Sequence, residues 1–249
     1  TPGTTTPSTG TETPSTGTET PSTGTETPDA PVTGGNIDLL SVCLASEPDT
    51  IDPALNSAVD GATMVAHLFS GLAKWDQDAN GNLVIVADAA ESLPEGVVNA
   101  DGTVTYTYTI KAGMKWSNGD EVKASDFVNA WNRAASADLG ADYGYMFEVV
   151  DGYGTDKLNA TADDAARTIT ITISNAISYW NELLAFPTYF PVHSSAYGNE
   201  SWATEPATYI CNGPYTISAW EHDSVITLTK NANYHDAANV TMNEIKMFL

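Results

Sequence analysis

A mixed α/β or α+β body is what the sequence predicts, and three observations carry that prediction. Residues 103–110 alternate strictly, with Val104, Tyr106, Tyr108 and Ile110 on one face and Thr103, Thr105, Thr107 and Thr109 on the other. Residues 168–173 do the same, with Ile169, Ile171 and Ile173 set against Thr168, Thr170 and Thr172. Period-2 runs of β-branched and aromatic residues describe half-buried strands. Between them, Phe127, Val128 and Trp131 make an apolar stripe at helical spacing across 125–135. The order strands, helix, strands, helix, strands, with no regular strand–helix–strand repeat, fits a mixed body rather than a sandwich.

Residues 1–36 read as a flexible stalk. The first 28 contain only Thr, Pro, Ser, Gly and Glu, and 7–27 are three copies of Pro-Ser-Thr-Gly-Thr-Glu-Thr. None of these can bury a face, so nothing offsets the entropy of ordering the backbone. As a coil the stretch spans about 30–35 Å. The body opens with a strand-like run from Ile37 to Leu44, followed by the turn-rich segment Glu47 to Pro53. Met64, Val65, Leu68 and Phe69 predict a short helix over 61–70, with Gly71 as its stop. Asn80-Gly81 is a hairpin turn, and Asp101-Gly102 feeds the first alternating strand. Residues 180–184 are expected to be helical. Residues 215–220 and 225–229 are expected to pair as strands, and 244–249 to form a last strand. The chain stops in mid-strand, which hints at truncation.

The whole chain has 249 residues, with 32 acidic against 9 basic side chains and a formal charge of −23. Such a surface repels phosphate backbones, which argues against nucleic acid, and it disfavours docking on anionic lipid. No apolar run approaches the 18 residues needed to span a bilayer.

Candidate chemical motifs are sparse. Residues 76–82 resemble the first half of a calcium loop, but the twelfth position, which needs a bidentate acid, is Ala87. A polar turn between two strands is the expected reading. His67, His193, His222 and His235 show no metal-ligand spacing, and there is no Cys-x-x-Cys. Neither a nucleophile elbow nor a phosphate-cradling glycine loop is present. The expectation is therefore a protein without catalysis, metal or cofactor. Cys43 and Cys211 are open to two readings: buried free thiols or, in an exported protein, a disulfide contributing about 5 kcal/mol.

The order of motifs resembles the family 5 extracellular solute-binding proteins, the oligopeptide and dipeptide receptors of ABC importers. The resemblance runs from about residue 38 to 249. It is carried by Glu47-Pro48-Asp49-Thr50-Ile51-Asp52-Pro53, Leu68-Phe69-Ser70-Gly71-Leu72, Asp101 to Thr107, and Lys111 to Asp120. Further along it is carried by Ser125 to Val128 with Trp131 and Arg133, by Asn212-Gly213-Pro214-Tyr215, and by Lys230 to Tyr234.

The resemblance implies an α/β, periplasmic-binding-protein-like type II (cluster C) fold. The chain would hold its first lobe, 37–71 with 187–249, and an inserted subdomain, 72–186, with the second lobe absent. It implies a non-catalytic substrate-binding protein of an ABC importer that captures oligopeptides, with other small solutes an open alternative, and works with a cognate permease; a monomer is expected. Ligand backbone is expected along Asn56, Ser57, Ala58 and Val59, with Tyr143 and Tyr145 as a second wall. Receptors of this kind in Gram-positive bacteria are often lipoproteins, which places the protein outside the cell, tethered to the membrane through the stalk. An alternative is a stalked cell-surface adhesion or interaction domain built on a lone lobe.

Three departures stand out. Lys123 occupies a helix-cap position where the family has Thr, so the helix is expected to begin near Ser125. Cys211 and Asn212 replace a small pair, and His235 replaces a Trp.

Overall fold

The structure, a computed structural model, describes residues 38–199 and 201–249. The stalk expected over 1–36 lies outside the described residues. The described chain runs through β1 (Leu39–Cys43), α1 (Val59–Leu68), β2 (Ala73–Gln77), β3 (Leu83–Ala87), β4 (Val97–Val98), β5 (Val104–Thr109), α2 (Ala124–Ala135), β6 (Ala160–Asp163), β7 (Thr168–Ile173), α3 (Trp180–Leu184), β8 (Tyr215–Glu221), β9 (Val225–Lys230) and β10 (Glu244–Phe248).

Three sheets result. One has the order β1-β10-β9-β8, with β1 parallel to β10 and the other pairs antiparallel. It joins the beginning of the body to its end. The second is the β2–β3 hairpin, whose turn is closed by the Asp78 carboxylate accepting the N–H groups of Asn80 and Asn82. The polar turn is thus the form the calcium-like segment takes. The third, β4-β5-β7-β6, is antiparallel throughout and uses only residues between 97 and 173.

The alternation read from the sequence decides which face of the third sheet is buried. Val104, Tyr108, Ile169, Ile171 and Ile173 lie in the core. On the opposite face, Thr105 and Thr107 meet Thr172 and Thr170 across the β5–β7 ladder with hydroxyl contacts of 3.0 and 3.3 Å. The apolar face continues into an aromatic cluster. Trp180 Nε1 donates to the Tyr108 hydroxyl at 2.8 Å, Trp131 Nε1 donates to the Tyr189 carbonyl at 2.7 Å, and Phe147 stacks on Tyr189 with ring centres 4.2 Å apart. These indoles bury their area without leaving an N–H unpaired.

Two helix ends differ from expectation, and both are set by distant residues. α1 ends at Leu68, not at 70. Gly213 N–H takes the Leu68 carbonyl at 2.8 Å, while the buried Asn212 amide spans the Ser70 backbone, accepting from its N–H and donating to its carbonyl, both at 3.0 Å. Gly71 is needed for packing rather than as a stop, because a Cβ there would lie 2.5 Å from the Phe190 ring. The Asn212 departure from the family pattern therefore has a structural job.

α2 begins at Ala124 with Lys123 as its cap residue, not at Ser125. Asp126 reaches back to accept the Lys123 N–H at 2.9 Å, and it also accepts Trp116 Nε1 at 3.0 Å. Asp164, at the end of β6, then accepts both the N–H and the hydroxyl of Ser125 at 2.8 Å. The orphan donors of the first turn are satisfied by carboxylates, which also suit the positive end of the helix.

The disulfide reading is corrected. Both cysteines are free. Cys43 shares the exposed face of β1 with Leu39 and Ser41, whereas Cys211 is fully buried just ahead of β8. β1 and β8 are the opposite edges of a four-stranded sheet, about 14 Å apart at the usual strand spacing, beyond the reach of an S–S bond. Burial pushes the Cys211 thiol up to about 12.

Gly213→Ala places its methyl 2.5 Å from the Leu68 carbonyl carbon and the Phe69 nitrogen, both backbone atoms. It is expected to lower stability by about 1–3 kcal/mol in urea unfolding.

Candidate functional site

The segment from Glu47 to Val59 is clamped at two points. The first is a buried carboxylate. Asp52, 2% exposed, receives Arg133 of α2 in a two-pronged pair, Nη1 to Oδ1 at 3.0 Å and Nη2 to Oδ2 at 2.6 Å. Trp202 Nε1 and the Ala54 N–H complete its shell at 3.2 and 2.9 Å. Every lone-pair direction of interest is used, which is the condition under which a buried ion pair is tolerable. Close by, Tyr209 donates its hydroxyl to the Ile51 carbonyl at 2.7 Å and stacks on Trp202.

The second clamp is at the surface. Glu47 accepts Trp220 Nε1 at 2.9 Å, His222 Nδ1 at 2.5 Å and the Asp223 N–H at 2.6 Å. Burial opposes ionisation of Glu47, but these donors outweigh it and hold the carboxyl below its ordinary value of 4.5. The hydrogen bond to Glu47 raises His222 above 6.5.

Between the clamps and α1 lies the strip Asn56–Val59. Asn56 is buried and structural: its amide donates to the Ala58 carbonyl at 3.1 Å, and its Oδ1 lies 3.4 Å from the Ala58 nitrogen. A Cβ on Gly61 would collide with that amide, which is why α1 carries a glycine in its first turn. Ser57, Ala58 and Val59 are exposed, Val59 by 85%. Among the described residues, the N–H and carbonyl of Ser57 and the N–H of Val59 have no hydrogen-bond partner. The strip therefore displays open backbone donors and an acceptor on a rigid support.

The structure brings the second predicted wall beside this strip. Ser57 Oγ donates to Asp142 Oδ2 at 2.7 Å, across 85 residues of sequence. Tyr143 and Tyr145 follow directly, their rings 6.3 Å apart. They divide the roles: Tyr143 packs edge-on against Phe186, while Tyr145 is 54% exposed. Tyr145 and Asp142 line a recess of about 600 Å³ between the end of α2 and residues 152–158. Asp142 carried no motif that could have singled it out, and its role is visible only once the chain is folded.

Of the remaining histidines, His67 Nδ1 meets the Thr63 carbonyl at 2.7 Å, and the other two are each tied to a carboxylate. His193 meets Asp120 at 3.1 Å, and His235 meets the buried Asp88 at 3.0 Å. Asp88 also accepts the Ser70 hydroxyl. The replacement of an aromatic by His235 thus places a ring nitrogen on a buried acid. Among the described residues no group of three or more His, Cys, Asp or Glu is placed to hold a metal ion, and no helix is long and apolar enough to cross a membrane.

A three-sheet α/β body of this kind is the solute-binding fold of the oligopeptide receptors. It superposes on the substrate-binding domain of an oligopeptide ABC transporter from Bacillus anthracis with a TM-score of 0.76 at 26% identity, covering 86% of this chain and 42% of that one. It superposes equally well, TM-score 0.76 at 27% identity, on Listeria monocytogenes OppA bound to peptide, covering 86% of this chain and 43% of that one. The model for bacterial extracellular solute-binding proteins, family 5 (Middle), matches residues 84–248, and the chain belongs to that family.

Among curated relatives, the oligopeptide-binding protein OppA of Bacillus subtilis is 31% identical over 220 residues, covering 84% of this chain and 39% of the relative. The dipeptide-binding protein DppE of the same organism is 29% identical over 210 residues, covering 81% of this chain and 37% of the relative. The chain thus spans about two-fifths of the length of the relatives it matches. The family is one of extracellular, non-catalytic solute-binding proteins, and these two relatives are peptide-binding proteins.

Two outcomes follow from the clamps. Asp52→Ala leaves Arg133 without its counter-charge and is expected to cost about 3–5 kcal/mol in denaturant unfolding. Arg133→Lys, which cannot bridge both oxygens, should fall between the two proteins. At the surface clamp, the depressed Glu47 contributes stability above pH 4.5 that is lost as pH falls through its folded value. The raised His222 contributes below pH 6.5 and is lost as pH rises through its folded value. The clamp is thus strongest between about pH 4.5 and 6.5. NMR titration should place His222 above 6.5, and Glu47→Gln should bring it back towards that value.

Proposed function

We propose that this chain carries the first-lobe half of a receptor that captures extracellular oligopeptides and presents them to an ABC importer. The carrying observation is the open backbone of Ser57 and Val59, bonded through Ser57 to Asp142 in the segment that also bears the exposed Tyr145. An extended peptide can bond to such a strip whatever its side chains are, and an aromatic wall adds contact area without demanding one sequence. The oligopeptide- and dipeptide-binding relatives support the ligand class.

The lobe would comprise 37–71 and 187–249, with 72–186 as an inserted subdomain. The sheet memberships support this division, since β1 pairs with β10 while β4–β7 form a sheet of their own. A second lobe would close the cleft, and differential contact with both lobes would shift the open–closed equilibrium. The Thr/Pro/Gly/Glu stretch would act as the spacer of a lipoprotein held at the outer face of the membrane. No feature among the described residues favours the adhesion alternative.

Val59→Pro tests the strip. Val59 is the first residue of α1, where proline is welcome, and Ala58 at φ −110° and ψ 156° already has the conformation a following proline requires. The variant removes one N–H and little else of the backbone, whereas Val59→Ala keeps that N–H. In the full-length protein, calorimetry is expected to show Val59→Pro binding tetrapeptides about three- to tenfold more weakly than Val59→Ala, with unfolding midpoints alike. Equal affinities would remove the strip from the site. A full-length protein that binds no peptide at all would overturn the reading.

A further inference from the structure

Two lightly held pieces of the chain meet at Ser57. Its neighbours are anchored: the Asn56 N–H donates to the Asp52 carbonyl at 2.9 Å, and the Asn56 amide is tied to Ala58. Ser57 itself has no backbone partner among the described residues, so its tether is the hydroxyl that Asp142 accepts at 2.7 Å. On the other side, residues 137–142 link the end of α2 to the segment of the two tyrosines. Among the described residues their other hydrogen bonds stay within 136–144. The Asp138 N–H goes to the Ser136 hydroxyl, the Leu139 N–H to the Ser136 carbonyl and the Gly144 N–H to the Ala141 carbonyl. Ser57 and Asp142 are both exposed. Their bond is thus the long-range hydrogen bond of each piece, formed across 85 residues of sequence.

We propose that Asp142 is a positioning residue for peptide capture: by holding the Ser57 hydroxyl it keeps the strip in place and its backbone open for the main chain of an extended peptide. The inference rests on the peptide-capture reading and adds to it a determinant of affinity that is indifferent to peptide sequence. Two physical effects act together. The bond fixes Ser57 before the peptide arrives, so less ordering remains to be done on binding. It also occupies a competitor. A serine hydroxyl without a distant partner turns to backbone groups within a residue or two of itself. At position 57 those include the open N–H groups of Ser57 and Val59, the donors an extended peptide would use. Donated to Asp142, the hydroxyl leaves them free. Asp142 acts through Ser57 and has no need to touch the ligand, so the peptide's side chains do not enter. An amide oxygen in the same place can accept the hydroxyl as well, whereas a methyl group cannot.

The test uses the full-length protein and alanine tetrapeptides carrying Gln, Leu or Phe at each position in turn, with binding measured by calorimetry. Asp142→Ala is expected to bind all of them about three- to tenfold more weakly, by one common factor, with an unfolding midpoint close to that of the unaltered protein. Asp142→Asn keeps an oxygen for the Ser57 hydroxyl and should bind within about twofold of the unaltered protein, which a role for the charge alone would not allow. In a Ser57→Ala background, adding Asp142→Ala should change affinity by less than about twofold, because the bond is already gone. Unchanged affinity in Asp142→Ala overturns the inference. A loss confined to one side chain at one position makes Asp142 a ligand contact and also overturns it, as does an equal loss with and without the Ser57 hydroxyl. If Asp142→Ala does not fold, Ser57→Ala breaks the same bond from the other side, and peptide binding as tight as in the unaltered protein then overturns the inference. In all these cases the peptides still bind and the capture reading stands. If no tetrapeptide binds, the capture reading falls and the positioning role with it.

Discussion

The Asp52 carboxylate is the point on which the rest of the architecture depends. It lies in a segment with no regular secondary structure, yet it gathers a guanidinium from α2, an indole from residue 202 and a backbone N–H from its own turn. Three stretches of chain that share no sheet are thereby fixed to one buried group. A buried charge has only a few geometries in which its oxygens are all satisfied, so it fixes position more sharply than an apolar contact of similar area. The strip four residues further on takes its place from that fixed point.

The site is a product of juxtaposition more than of any one motif. Buried Asn56 shapes the turn from inside, and beyond it the Ser57 backbone and the Val59 N–H have no hydrogen-bond partner among the described residues. The contact that joins strip and aromatic wall is a single hydroxyl–carboxylate bond between residues 85 positions apart. In the proposed reading an extended chain would pair with the open backbone, and the exposed ring of the neighbouring segment would add contact area.

Much of the fold was legible in the sequence wherever one face of an element is buried along its length. The Tyr/Ile alternation with threonines opposite fixed the faces of β5 and β7, and Phe127, Val128 and Trp131 located α2. Element ends were less legible, because their determinants are tertiary. The start of α2 depends on Asp164, which is 39 residues from the Ser125 it caps, and the end of α1 on Asn212 and Gly213. The disulfide reading failed for the same reason, since the order of strands in a sheet is not encoded in any local pattern. The candidate strip came from the resemblance rather than from residue chemistry, and Asp142 had no local feature to mark it. Two neighbouring tyrosines could be noticed, but not which would pack on Phe186 and which would stay exposed.

The parallel pairing of β1 with β10 has a mechanical consequence. The chain enters the ladder at Leu39, opposite Glu244, and leaves it at Phe248, opposite Cys43. A pull applied to the two ends of the body therefore runs along both strands and loads their five-residue register in shear. All of its hydrogen bonds resist together, where an antiparallel hairpin pulled from its open end would unzip one bond at a time. The edge of the first sheet is thus built like a lap joint, with the load shared along the seam.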